Sequence, residues 1–159
     1  MTTPNLIKHG ALRLSLPEGW LDASQVVAVG PEERGFRPNL VVSIEPLRPG
    51  ETLAQFTQRS LVHLRRLEGF SLAEERAATF GPHQGVLREY TFRIQGVLMA
   101  QYQFQILQNS VGYSFTYCQL PEKMAATRAV AEQFFATAQV SANPELAVSR
   151  VNTVLGARW

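Results

Sequence analysis

The sequence has very little cysteine and aspartate and no long apolar run. Its 159 residues include a single cysteine, Cys118, so no internal disulfide can form and a reducing compartment is expected. Asp22 is the only aspartate, which argues against a carboxylate metal site or a paired-aspartate catalytic centre. No run approaches the ~18 to 20 apolar residues of a membrane span. These absences predict a soluble protein.

The charge pattern and the amino-terminal residues indicate which partners and which location to expect. The net charge is +2 and the basic residues, nearly all arginine, are scattered, so no nucleic-acid-binding stripe is present. Residues 1–20 have neither an uninterrupted apolar core nor a small-residue cleavage site, so we predict no signal peptide and a cytoplasmic location. With 45% hydrophobic residues, the chain suits one domain. We assign residues 1–140 to that domain and 141–159 to a tail that can form a short helix.

Turn residues and hydrophobic periodicity divide the chain into strands and helices. Thr52 is a credible N-cap for a helix over about 53–67, and a second helix follows Pro121 to about Val140. Short links at Gly96 and at Asn109-Ser110 indicate an antiparallel meander. The order β-β-β-α-β-β-β-β-α predicts an α+β fold with a single antiparallel β-sheet flanked by helices. The predicted strands cover residues 11–17, 24–30, 39–47, 71–80, 86–95, 97–108 and 111–120.

The most unusual segment is VLMAQYQFQILQ, residues 97–108. Strand side chains alternate between two faces, so one face here is apolar and the other carries three glutamines among apolar residues. That second face is either a solvated sheet face or a binding surface, on which amides meet a partner's polar groups and methionine adds apolar contact. The apolar face holds Leu98, Ala100, Tyr102, Phe104 and Ile106, and the other holds Val97, Met99, Gln101, Gln103, Gln105 and Leu107.

The sequence shows no motif for catalysis or metal binding. His9, His63 and His83 have no metal-ligand spacing to one another or to Cys118, so we predict three unrelated surface histidines and a buried structural thiol. There is no nucleophile elbow, P-loop or dinucleotide-binding glycine motif. The alternating aromatic residues of the last strands could stack nucleobases, but their regular spacing favours core positions. We predict a binding protein that is not an enzyme and uses no metal or other cofactor.

Several motifs, taken in order, resemble the Eag-type chaperones of bacterial type VI secretion, which are relatives of the DcrB-like proteins. The resemblance covers roughly residues 8–140. It implies a Mog1/PsbP-like fold, a homodimer and a chaperone that shields the N-terminal transmembrane helices of a toxic effector before loading on the secretion spike. The motifs are LPEGW-x-D-x-S (16–24), NLVVS-x-EPL (39–47), GETL-x-x-F (50–56), L-x-GF (67–70), G-x-x-x-x-Q-x-Q (96–103) and the closing aromatic helix.

The resemblance also implies where a client binds, on the concave face of the sheet. Gln103 matches the strand glutamine of the family, whereas Ser60 stands where relatives carry a helix glutamine. Gln25 and Val27 fall on a strand where relatives present apolar residues, so Gln25 is a second departure. A Gln103→Leu variant is expected to fold normally and to bind client more weakly. The candidate partner-binding residues are Gln103, Gln101, Gln105, Met99, Ser60, Val27, Gln25 and Ser43.

The partners implied are an effector protein with N-terminal transmembrane segments and a PAAR- or Rhs-like region, and a second copy of the chain. Neither nucleic acid nor direct membrane insertion is expected. The alternative hypothesis is a DcrB-like or Mog1-like interaction domain that binds a soluble protein, such as a small GTPase or an envelope protein. The missing signal peptide argues against the envelope version. A neighbouring gene that encodes N-terminal transmembrane segments would favour the chaperone.

Overall fold

The described part of the chain, residues 6–20 and 22–140 of a computed structural model, is organised around one six-stranded antiparallel sheet. Two helices lie against the sheet, and a separate two-stranded hairpin precedes it. The strands are β1 (Leu6–His9), β2 (Leu12–Ser15), β3 (Val26–Val29), β4 (Asn39–Pro46), β5 (Ser71–Phe80), β6 (His83–Ile94), β7 (Val97–Gln108) and β8 (Val111–Gln119), and the helices are α1 (Leu53–Leu64) and α2 (Pro121–Thr137). The order within the large sheet is β3-β4-β8-β7-β6-β5.

The predicted α+β class and the antiparallel sheet with flanking helices are confirmed. One detail is wrong, because the segment 11–17 does not join the main sheet. Its strand β2 pairs with β1, a strand that the sequence did not reveal. Lys8 and His9 interrupt the apolar residues of β1, so the alternation that marks a strand is missing there. The predicted short helix of the tail lies outside the described residues.

Two tight turns explain why the predicted meander of β6, β7 and β8 is confirmed. Gln95 and Gly96 have φ values of 50° and 80°, and Asn109 and Ser110 have φ values of 53° and 61°. Two-residue turns with positive φ at both positions match the right-handed twist of the strands they join. The turns therefore fix the register in which the glutamines of β7 face their neighbours.

The apolar face of β7, which its alternation predicted, packs beneath α2. Phe104 is fully buried, with its ring centroid 5.4 Å from that of Phe135 on α2 and 4.9 Å from that of Phe80. Tyr102 donates a hydrogen bond from its hydroxyl to Glu132 on the same helix at 2.9 Å. This face of the sheet is the main hydrophobic core, so the opposite face is the one available for other uses.

Helix α1 crosses part of that opposite face and is tied down at its start. Thr52 forms the predicted N-cap, and it exchanges hydrogen bonds with Gln55 in a capping box. Arg59 forms ion pairs with Glu45 of β4 at 2.8 Å and with Glu51 at 2.6 Å. These contacts hold the first half of α1 over the sheet.

A glycine on β8 sets how closely α1 approaches the sheet. A Cβ atom built on Gly112 would lie 2.6 Å from the ring of Phe56, which is fully buried on α1. Non-bonded carbon atoms do not approach each other this closely, so any larger residue at position 112 would push the helix outward. The position of α1, and of every side chain beneath it, depends on this contact.

We predict that Gly112→Ala destabilises the protein by about 1 to 3 kcal/mol, because the new methyl group would overlap the Phe56 ring. In a Phe56→Leu background the same change should cost less than half as much, since the smaller side chain leaves room. Urea denaturation of the four proteins measures both costs. Equal costs in the two backgrounds would show that the Phe56 contact is not the constraint.

Candidate partner-binding groove

An open groove of about 350 Å³ lies between α1 and the strands that α1 leaves uncovered. Ser60, His63 and Leu64 of α1 form one wall, and residues of β4, β7 and β8 form the floor. We call it the glutamine groove. Of the predicted partner-binding residues, those that line it are Gln25, Ser43, Ser60, Gln101, Gln103 and Gln105.

The strand register explains why residues so distant in sequence meet here. Paired residues of antiparallel strands point to the same side of the sheet. One cross-strand row runs from Val27 through Val41, Thr116 and Gln103 to Arg88. Val27 therefore belongs to the groove face although it does not line the groove, and it is 55% exposed on the edge strand β3.

A buried arginine organises the floor of the groove. Arg88 is only 2% exposed, and its Nη1 donates to the side-chain oxygens of Gln103 at 3.2 Å and Gln105 at 3.1 Å. Its Nη2 donates to the backbone carbonyl of Thr57 on α1 at 3.0 Å, and its Nε donates to the Glu75 carboxylate at 2.8 Å. A guanidinium removed from water requires such acceptors. The two glutamines are therefore structural partners of a buried charge.

The amide nitrogens of the same glutamines continue the network. Gln103 donates to the hydroxyl of Thr116 at 3.1 Å, and Gln105 donates to the hydroxyls of Ser60 at 2.9 Å and Ser114 at 2.8 Å. Ser60 is 3% exposed and completes a bond between α1 and β7. The serine that departs from the family pattern is therefore a partner of Gln105 in this network.

The third glutamine of β7 belongs to a neighbouring, more apolar cluster. Tyr90 donates from its hydroxyl to the side-chain oxygen of Gln101 at 2.5 Å, and burial raises the pKa of this phenol. Met99 packs with Tyr90, Phe92 and Cys118 in the core, so the structure does not bring Met99 to the groove. Burial also raises the pKa of the Cys118 thiol, opposed by the Gln101 amide, in keeping with the predicted structural role.

The face with the three glutamines is therefore not the solvated sheet face that was one of the two alternatives from the sequence. Gln103 is 7% exposed and Gln105 is 1% exposed, because α1 and Arg88 cover them. Among the glutamines proposed to bind a partner, Gln25 is the one that is well exposed. It lies at the edge of the groove and donates to the Ser43 hydroxyl at 3.0 Å. The sequence analysis missed Arg88. The signal was an arginine that alternates with Val86, Tyr90 and Phe92 on one face of the strand.

The structure also tests the prediction that the three histidines lie at the surface. His9 and His63 are exposed, as predicted, but His83 is buried, and its Nε2 lies 2.6 Å from the Ala138 carbonyl oxygen. The prediction of three surface histidines is therefore wrong for His83, because the chain that follows α2 covers it.

Within residues 6–20 and 22–140, no group of three or more His, Cys, Asp or Glu side chains is arranged to hold a metal ion. None of the helices described there is long and apolar enough to cross a membrane.

A second, larger cavity of about 490 Å³ lies between the 30–38 segment and α2. It is bordered by Val130 and Phe134, both exposed apolar residues of α2, and by none of the predicted partner-binding residues. We favour the glutamine groove as the candidate site because its polar groups are buried and fixed in orientation before any partner arrives. Such preorganisation is typical of a recognition site.

Comparison with known proteins identifies the family. The model of the DcrB family matches residues 12–137, which is more than half of the chain. The chain belongs to the DcrB family. No curated protein matches this DcrB-family chain significantly in sequence.

Two solved structures resemble this DcrB-family chain in fold. PA94 from Pseudomonas aeruginosa, a protein of unknown function, is 19% identical with a TM-score of 0.70, over 88% of this chain and 99% of that chain. LpqN from Mycobacterium tuberculosis, which is involved in cell envelope biogenesis, is 16% identical with a TM-score of 0.47, over 81% of this chain and 85% of that chain. The likeness to PA94 shows a shared fold, and the likeness to LpqN is too weak to support an argument.

The network changes what we expect of Gln103. Gln103→Leu should destabilise this DcrB-family chain by about 1 to 3 kcal/mol, since it leaves a donor of Arg88 without its acceptor. Gln84→Leu makes the same chemical change at an exposed position of β6 and should stay within about 0.5 kcal/mol of wild type. Chemical denaturation measures both. A Gln103→Leu protein as stable as the Gln84→Leu control would mean that the hydrogen bond between Arg88 and Gln103 contributes nothing to stability.

Proposed function

We propose that this DcrB-family chain is a cytoplasmic chaperone that shields the N-terminal transmembrane helices of a type VI secretion effector before loading. The observation that carries the proposal is the glutamine groove itself. Fixed amides and hydroxyls form its floor, and apolar side chains border them on an uncovered part of the sheet. The ordered motifs shared with Eag-type chaperones support the same function.

The chemistry of the groove suits such a client. A transmembrane helix in water exposes an apolar surface interrupted by small or polar groups. Val41, Leu64 and Leu67 offer apolar contact beside the polar floor, and the exposed Val27 extends this contact to the open edge of the sheet. A groove of about 350 Å³ has room for a few side chains but not for a helix about 10 to 12 Å across, so the helix lies across the opening and inserts the side chains of one face.

Shielding of this kind requires binding alone. The proposal therefore involves no nucleotide, metal or covalent step, and the chain is not an enzyme. A homodimer presents two grooves, which suits an effector with more than one transmembrane segment. The client on this proposal carries a PAAR- or Rhs-like region after those segments.

A matched pair of valine variants tests the proposal. Val26 and Val27 are adjacent on β3 and are 63% and 55% exposed, but they point to opposite faces of the sheet. Co-expression with the N-terminal transmembrane fragment of an effector encoded beside this gene should keep that fragment in the soluble fraction. Val27→Asp should weaken binding by at least about tenfold, because a carboxylate would be buried against an apolar helix. Val26→Asp should bind as wild type does.

Two results would contradict the chaperone. One is equal binding by the Val26→Asp and Val27→Asp variants, both shown to be folded by circular dichroism. The other is capture of the effector's toxin domain alone, with no capture of the transmembrane fragment, which would instead support an interaction domain for a soluble protein.

A further inference from the structure

We infer that Arg88 makes the glutamine groove a hydrogen-bond-donating surface, and that the groove selects apolar helices that present an oxygen acceptor. This inference rests on the proposed function and names the client chemistry that the same groove recognises. Arg88 acts as a positioning residue, because it orients the glutamines rather than contacting the client. The argument begins with the donors and acceptors that each side chain has.

The guanidinium group fixes the orientation of two amides. Arginine carries N–H donors and no acceptor, so only the oxygens of Gln103 and Gln105 can face Arg88. The flipped arrangement would place each amide NH₂ group against another donor in a buried site. The oxygens of both side chains are therefore committed to the interior, and their NH₂ groups point along the sheet.

The NH₂ groups in turn set the role of the hydroxyls. Thr116 and Ser114 accept hydrogen bonds from Gln103 and Gln105, so their own hydroxyl hydrogens are left to donate elsewhere. Within residues 6–20 and 22–140 the side-chain hydrogen bonds found at these two hydroxyls are those they accept, and neither is found donating one. Ser60 differs, since its hydroxyl donates to the Phe56 carbonyl at 3.0 Å. The floor therefore offers O–H donors to whatever enters the groove.

In the rest of the groove, too, acceptor atoms are engaged within the protein and hydroxyl donors are left available. Tyr90 donates to the side-chain oxygen of Gln101, so the third amide oxygen of β7 is also committed. At the rim, Ser43 accepts from Gln25, which leaves the Ser43 hydroxyl hydrogen to donate. The Ser114 and Thr116 hydroxyl oxygens each already accept one hydrogen bond, and the amide and imidazole acceptors that are still uncommitted belong to the less buried Gln25, Asn39 and His63. Donors thus dominate the deep part of the groove.

An apolar helix can meet these donors in two ways. A serine or threonine hydroxyl oxygen can accept a hydrogen bond, and so can a backbone carbonyl that a proline leaves without its helical partner. Each would lie against the floor while the neighbouring apolar side chains contact the walls. A helix whose central polar group can only donate would face like groups and bind poorly.

A series of synthetic helices tests the preference. The probe is a 21-residue Leu/Ala helix with lysines at both ends and a fluorophore, carrying one central guest residue. O-methylserine offers only an acceptor, norvaline has the same shape with neither function, and 2,4-diaminobutyrate offers only donors. By fluorescence anisotropy the wild-type chain should bind the O-methylserine probe about 3- to 10-fold more tightly than the norvaline probe. The diaminobutyrate probe should be the weakest, and because its ammonium charge also disfavours burial, the ratio of O-methylserine to norvaline affinity is the deciding measurement.

Variants of Arg88 test its positioning role. Arg88→Lys retains donors that can face the two glutamine oxygens, so the preference for O-methylserine over norvaline should persist. Arg88→Met removes them, and the ratio of the two affinities should fall to about one even where overall binding remains. Circular dichroism checks the fold, and if Arg88→Met is unfolded, the wild-type and Arg88→Lys series decides.

The outcomes separate this inference from the proposed function. If the wild-type chain binds none of the three helices, the proposed function is wrong. If it binds them all equally, or prefers diaminobutyrate, the chaperone proposal stands and the inferred polarity is wrong. A folded Arg88→Met variant that keeps the full preference, or a folded Arg88→Lys variant that loses it, would overturn the role assigned to Arg88.

Discussion

The buried guanidinium of Arg88 is the interaction on which the glutamine groove depends. A permanent charge with 2% exposure requires several acceptors close by, and the chain supplies them from the neighbouring strands and from α1. The side-chain oxygens of Gln103 and Gln105 accept hydrogen bonds from this charge. Their NH₂ groups therefore donate to the surrounding hydroxyls. The orientation of the groove floor is thus a consequence of one buried residue.

The same interaction couples the groove to the placement of α1. The Thr57 carbonyl that Arg88 reaches belongs to that helix, which also rests on Gly112 through Phe56. Arg59 adds ion pairs to β4 and to the segment before the helix. Because α1 is fixed over β6, β7 and β8, the β3–β4 side of the face stays open. This chain therefore combines a hydrogen-bonded polar floor with an accessible apolar edge.

Much of the fold could be predicted from local signals. Alternation separated the two faces of β7, and the turn residues at Gly96 and Asn109-Ser110 predicted the meander. What the sequence could not show is which element covers a face, since this depends on contacts between distant residues. The burial of Gln103 and Gln105, the core position of Met99 and the partner of His83 all follow from helices that arrive from elsewhere in the chain. The pairing of β1 with β2 escaped notice because a four-residue strand leaves too short a pattern.

The central claim is that a transmembrane helix binds at the glutamine groove, and hydrogen–deuterium exchange of the chain with and without an effector's transmembrane fragment tests it most directly. The account predicts that amides of β3, β4 and α1 become protected on binding, because the helix covers the open edge beside the groove. Protection confined to the 30–38 segment and α2 would contradict it, since it would place the client in the larger cavity on the other side of the sheet.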